Sequence, residues 1–110
     1  MKKLLLLSIS LLALSFLPNT FAHDLKGAIA SEDRTPKNVV RDVYRHPYET
    51  LDFFGIKQDM TIIELSPGGG WYTEILANYI HYPGTLIAAH FNPDAGGYYK
   101  RGRANFEKKM

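Results

Sequence analysis

Six residues crowded into one short stretch have the types and spacing to hold a ligand: Glu64, Ser66, Gly68, Gly69, Gly70 and Trp71. A glycine-rich turn between a buried strand and a helix lets a ligand come close to the backbone. It also leaves the first N–H groups of the helix free for an anionic group. Reading from Gly68, the chain gives Gly68, Gly70 and then Thr73, where a dinucleotide-binding fingerprint carries its third glycine. No Lys-Ser/Thr pair follows the glycines, which excludes a phosphate-binding P-loop. The bland alternative is a tight turn with Glu64 as an ordinary strand-end carboxylate.

Other chemistry finds little footing. His23, His46, His81 and His90 show no metal-ligand spacing such as H-x-x-x-H, so no metal site is expected from spacing. If His23 is a mature N-terminus, its amino group and imidazole form a possible copper chelate, provided that a second histidine meets it in space. Ser66-Pro67-Gly68 lacks the G-x-S-x-G elbow that exposes a nucleophile. Arg41, Arg45 and Tyr48 lie upstream of the loop and read equally as part of a ligand lid or as a solvated helix face.

The elements that position the loop are readable. Residues 23–34 are polar and mixed, a short helix followed by a linker. Thr35-Pro36 opens a helix, with Thr35 as N-cap and Val39, Val40, Val43 and Tyr44 at helical spacing. His46-Pro47 opens another, with Leu51 and Phe54 as its apolar face and Gly55 closing it. Met60 to Leu65 is a nearly continuous apolar run, the pattern of a parallel strand buried on both faces. Tyr72, Ile75, Leu76, Tyr79 and Ile80 mark a one-faced helix, ended by Tyr82-Pro83-Gly84. Thr85 to His90 is a second strand, and a basic helix follows from Gly97. Strand, glycine loop, helix and strand fit in the length of one βαβ unit.

The stretch Ile62-Ile63-Glu64-Leu65-Ser66-Pro67-Gly68-Gly69-Gly70 resembles motif I of the class I S-adenosylmethionine-dependent methyltransferases, an apolar strand ending in an acidic residue and then alternate glycines. The wider run from Arg34-Thr35-Pro36 through His46-Pro47-Tyr48-Glu49 to Trp71-Tyr72-Thr73 is similar to a group of exported methyltransferases with signal peptides. The resemblance covers nearly all of the chain after the signal, but only the N-terminal part of such a domain. It implies an α/β class and a Rossmann-like three-layer methyltransferase fold, truncated to N-terminal helices plus the first βαβ unit. It also implies S-adenosylmethionine as cofactor. Glu64 would hold the methionine end, and Gly68, Gly69 and Gly70 would pass beside the ligand. Trp71, off the apolar stripe of its helix, would face it. Ser66 replaces the motif's first glycine. His90 stands where the family places a carboxylate for the ribose hydroxyls; a neutral imidazole accepts one hydrogen bond, not two, and Asp94 is the nearest substitute.

The N-terminus reads as a cleavable secretory signal: Lys2 and Lys3, an apolar Leu4–Leu17, a break at Pro18-Asn19 and a cleavage site after Ala22. The expected layout is a signal at 1–22, a helical segment at 23–58 and the start of a cofactor-binding domain at 59–110. Periplasmic or secreted localisation follows, with no membrane attachment after cleavage. The full chain has 13 Lys and Arg against 11 Asp and Glu; the signal removes two of the cations and leaves a balance. Cations still crowd the C-terminal stretch (Lys100, Arg101, Arg103, Lys108, Lys109), read as a solvated helix face, with no nucleic-acid partner expected. There is no Cys, so no disulfide stabilises the exported chain. The chain stops at Asn105–Met110 in mid-helix, and the expectation is an N-terminal portion of a longer protein, prone to self-association through an open sheet edge. The leading function is methyl transfer to an acceptor whose pocket lies in later parts of the domain. The alternatives are a non-catalytic exported module binding a small ligand on the same fold, and another nucleotide-binding protein of that fold. An exported methyltransferase needs an imported supply of cofactor.

Overall fold

The computed structural model describes residues 24–110; the stretch expected to be a signal, 1–22, and His23, expected to begin the mature chain, lie outside the described residues. Asp24 caps the first helix, α1 (Leu25–Ile29), its carboxylate accepting from Gly27 N at 2.6 Å. Leu25 and Ala28 face inward. Arg34, fully withdrawn from solvent, donates to the Ile29 carbonyl at the other end of α1 and forks onto Asp42 at 2.6 and 2.8 Å.

One helix was expected from Thr35. The structure has two, α2 (Pro36–Val39) and α3 (Asp42–Arg45), and Val40, Val43 and Tyr44 face solvent. The residue that α2 buries is polar, Asn38. Thr35 does not cap α2 either: its hydroxyl donates to Glu74 instead. Spacing alone marks one side of a helix without saying which neighbour covers it. Helix α4 (Pro47–Phe53) follows, with Pro47 in its first turn and Leu51 inward; Phe54 is exposed. It ends in a Schellman arrangement: Gly55 N reaches Asp52 O, and Ile56 N reaches Leu51 O.

Strands β1 (Thr61–Leu65) and β2 (Thr85–Ala89) pair in parallel, Thr61 opposite Thr85 and Leu65 opposite Ala89. Helix α5 (Trp71–Tyr79) connects them. A 3₁₀ turn (Pro93–Ala95) leads into α6 (Gly97–Lys109). The result is a small mixed helix/strand domain with a two-stranded parallel sheet.

The core joins Leu25, Ala28, Leu51, Trp71, Ile75 and Leu76, with Ile62 and Leu86 of the sheet packed against them. Each large apolar side chain fully withdrawn from water contributes about 1.5–3 kcal/mol. The core lies on one face of the sheet only. On the other, Ile63 is 57%, Leu65 77% and Ile87 44% exposed. The strand read as buried on both faces is therefore covered on one, because a parallel strand is enclosed only where helices flank both sides.

Candidate functional site

The loop after β1 is built from left-handed backbone. Ser66 has φ 54°, Gly68 58° and Gly70 79°. Ser66 N still donates to Ala89 O at 2.9 Å, so pairing with β2 runs one residue past the strand and then turns. A non-glycine residue in this region is strained, so Ser66 holds a conformation that suits glycine.

The three glycines do different jobs. A Cβ on Gly70 would stand 2.5 Å from the Met110 side chain and 3.3 Å from the Phe106 ring, so Gly70 lets α6 pack onto the start of α5. Gly68 and Gly69 are open: a Cβ on either meets nothing within 4 Å. Gly69 is free of the left-handed constraint, whereas Gly68 is not.

Glu64 is half-buried at the end of β1, and Thr73 Oγ1 donates to its Oε2 at 2.6 Å. Burial pushes its carboxyl above the ordinary value of 4.5, against the pull of the Thr73 hydroxyl and backbone N–H. Glu64 thus holds the first turn of α5, a turn in which no side chain caps the helix at Gly70.

Trp71, expected to face a ligand, is packed into the core. It is 3% exposed, and its indole N–H donates to the Asn38 carbonyl at 2.9 Å. The guanidinium of Arg45, an exposed residue, lies 4.3 Å from its ring centroid, a cation-π contact onto a core ring. The helical stripe beginning at Tyr72 misses Trp71 because the first turn is covered from the side by α2.

His90, just past β2, reaches the glycine loop. Its Nδ1 accepts from Phe91 N at 2.7 Å, which leaves the proton on Nε2 facing Gly68 O at 3.2 Å. Both ring nitrogens are engaged, so His90 offers no acceptor to a ribose hydroxyl. Asp94, the possible substitute, is exposed on the 3₁₀ turn.

Between the loop and α6 lies a cavity of ≈ 590 Å³. Of the residues singled out in the sequence as ligand contacts, Gly68, Gly69 and His90 line it; Glu64, Ser66, Gly70, Trp71 and Asp94 do not. Lys37, Phe91 and, from α6, Tyr98, Arg101, Gly102, Asn105, Phe106 and Lys109 complete the wall. Lys109 also latches the loop, donating to Gly69 O at 2.9 Å and pairing with Glu74. Helix α6 was read as a solvated basic face, but a signal was present. Tyr98, Arg101, Gly102, Asn105, Phe106 and Lys109 recur at spacings of three and four, one face of a helix that mixes aromatic and cationic residues.

The donor set fits S-adenosylmethionine in part. The open Gly68 and Gly69 admit a ligand to the backbone, and the cations fit its carboxylate. No carboxylate lines the cavity to receive the ribose hydroxyls or the cationic groups. Among the described residues no group of three metal-ligating side chains gathers, and no helix is long and apolar enough to cross a membrane. Set against known families, curated proteins and solved structures, the chain matches none of them.

Proposed function

We propose that this chain is the cofactor-binding part of an exported S-adenosylmethionine-dependent methyltransferase with a Rossmann-like fold. The observation that carries the reading is the loop itself. An acid-ended strand runs into Ser66-x-Gly68-x-Gly70, then a helix and a parallel second strand, with open space beside Gly68 and Gly69. Gly68 and Gly69 would lie against the cofactor and Glu64 would stand toward its methionine end. Bound there, the cofactor supplies an electrophilic methyl group for an O, N or C nucleophile. The chain's part is proximity and alignment, which for such a transfer are worth much of the barrier.

A second reading, a non-catalytic exported module for a small ligand, is favoured by two observations: the cavity beside the loop is cationic, and His90 has no acceptor to spare.

Calorimetry with S-adenosylmethionine and S-adenosylhomocysteine decides between them. Wild type is expected to bind both, and Gly69→Val to abolish binding with little change in thermal stability, because Gly69 has ordinary backbone and open space. Gly68→Val is the poorer probe, since φ +58° adds strain of about 1–2 kcal/mol whatever the ligand does. No heat from wild type with either ligand at millimolar concentration defeats the methyltransferase reading.

A further inference from the structure

We propose that the cavity between the glycine loop and α6 binds a planar aromatic ligand carrying an oxyanion, a carboxylate or a phosphate. The inference rests on the reading of the glycine loop as a ligand site and is independent of methyl transfer.

Three cationic side chains, Lys37, Arg101 and Lys109, line the cavity, and no Asp or Glu does. Lys109 is already paired with Glu74 and donates to the Gly69 carbonyl. Lys37 and Arg101 have neither an ion-pair nor a hydrogen-bond partner among the described residues. Exposed cations without partners are common on any surface. These two differ in coming from opposite ends of the described chain, α2 and α6, to one concave wall. Elsewhere on α6 the outward Arg103 is paired, to Glu107 at 2.7 Å. A cleft lined by one sign of charge focuses its field and concentrates counter-ions of the opposite sign. An arginine fork is the side chain best matched to a carboxylate or phosphate.

The rest of the wall sets the ligand's body. Phe91, Tyr98 and Phe106 present ring surface, which favours a flat partner through stacked or edge-on contact. The His90 ring is tied back to Gly68 O and lies 5.0 Å from Phe106, closing the floor without adding an acceptor. At ≈ 590 Å³ the cavity falls in the range of small-molecule sites.

The test is titration of the purified protein with phenyl phosphate and with benzoate, followed by calorimetry and by the His90 ring resonances. Phenol and inorganic phosphate serve as controls, and S-adenosylmethionine is titrated separately. At least one of phenyl phosphate and benzoate is expected to bind and to shift the His90 signals, the better binder naming the oxyanion. Binding should weaken with added salt. Arg101→Gln should weaken it roughly tenfold or more, the loss of a charge-assisted hydrogen bond, and Lys37→Gln should weaken it too. Arg103→Gln removes the same charge from the outer side of α6 and should leave binding unchanged. Phenol binding as tightly as the two anions overturns the oxyanion, and inorganic phosphate matching phenyl phosphate overturns the aromatic body. Binding by neither anion, or binding that ignores Arg101 and Lys37, overturns the site. Anion binding without S-adenosylmethionine binding keeps this inference and removes the methyltransferase reading; the reverse pattern does the opposite.

Discussion

At the scale of single residues, Ser66 is the most informative position. It holds φ 54° while its N–H continues the ladder to Ala89, so the backbone is committed to a conformation that suits glycine. For an L-residue that conformation costs about 1–2 kcal/mol, and a glycine there would forfeit about 0.5–1 kcal/mol of chain entropy. Ser66→Gly is therefore expected to stabilise the protein by about 0.5–1 kcal/mol. Urea unfolding measures it; a variant less stable than wild type would mean that the Ser66 side chain supplies a compensating contact. Trp71 shows the limit of single-residue reading. Its place at the start of a helix after a glycine loop was visible, and its burial was not, because Asn38 and Arg45, which satisfy its N–H and cover its ring, lie more than 25 positions away in sequence.

At the scale of elements, two carboxylates meet α5 with opposite behaviour, Glu64 from β1 and Glu74 from the helix itself. Glu64 lies against its first turn, and burial raises its pKa. The folded state then holds that proton more tightly than the unfolded chain, so this contribution to stability is present in acid and is lost as pH rises from 4.5 through the raised folded value. Glu74, inside the helix, is penalised by burial but more than compensated by Lys109, Thr35 and Asn38, so its pKa is lowered. Its contribution is present above 4.5 and is lost as pH falls through the lowered value. Glu64→Gln, which keeps an acceptor for Thr73, should gain on wild type as pH rises, whereas Glu74→Gln should lose at neutral pH and approach wild type in acid. Urea midpoints from about pH 3 to about pH 8 test both; parallel curves for either variant would contradict the assignment for that residue. Element order was legible from periodicity and punctuation: Gly55 ending α4, the glycine loop, the Tyr82-Pro83-Gly84 break and the start of α6 at Gly97 all fall where the sequence places them. The cavity was not. It needs α6 folded back over the loop, a contact fixed by Gly70 against Phe106 and Met110 and by Lys109 on Gly69, and local patterns say nothing of such long-range closure.

At the scale of the whole molecule, the sheet decides behaviour in solution. Among the described residues two strands leave each with an unpaired edge, and such pairs are marginal unless a face is well covered. Here one face has the core and the other presents Ile63, Leu65 and Ile87 to water in adjacent register, Ile63 opposite Ile87. A contiguous apolar strip bounded by open edges favours pairing with a second copy over remaining in water. Residues 23–110, without the apolar Leu4–Leu17 run, are therefore expected to self-associate at micromolar concentrations and to unfold over a broad temperature range. Ile63→Lys combined with Ile87→Glu should make them monomeric, because the two charges pair across the strands within one molecule and break the apolar strip that a second copy would cover. The pair of substitutions spares the core, since Ile62 and Leu86 lie on the covered side. Sedimentation velocity across a concentration series, with circular dichroism to follow melting, tests this. A wild-type chain that stays monomeric and melts in one sharp transition would show that the half-covered sheet is stable by itself.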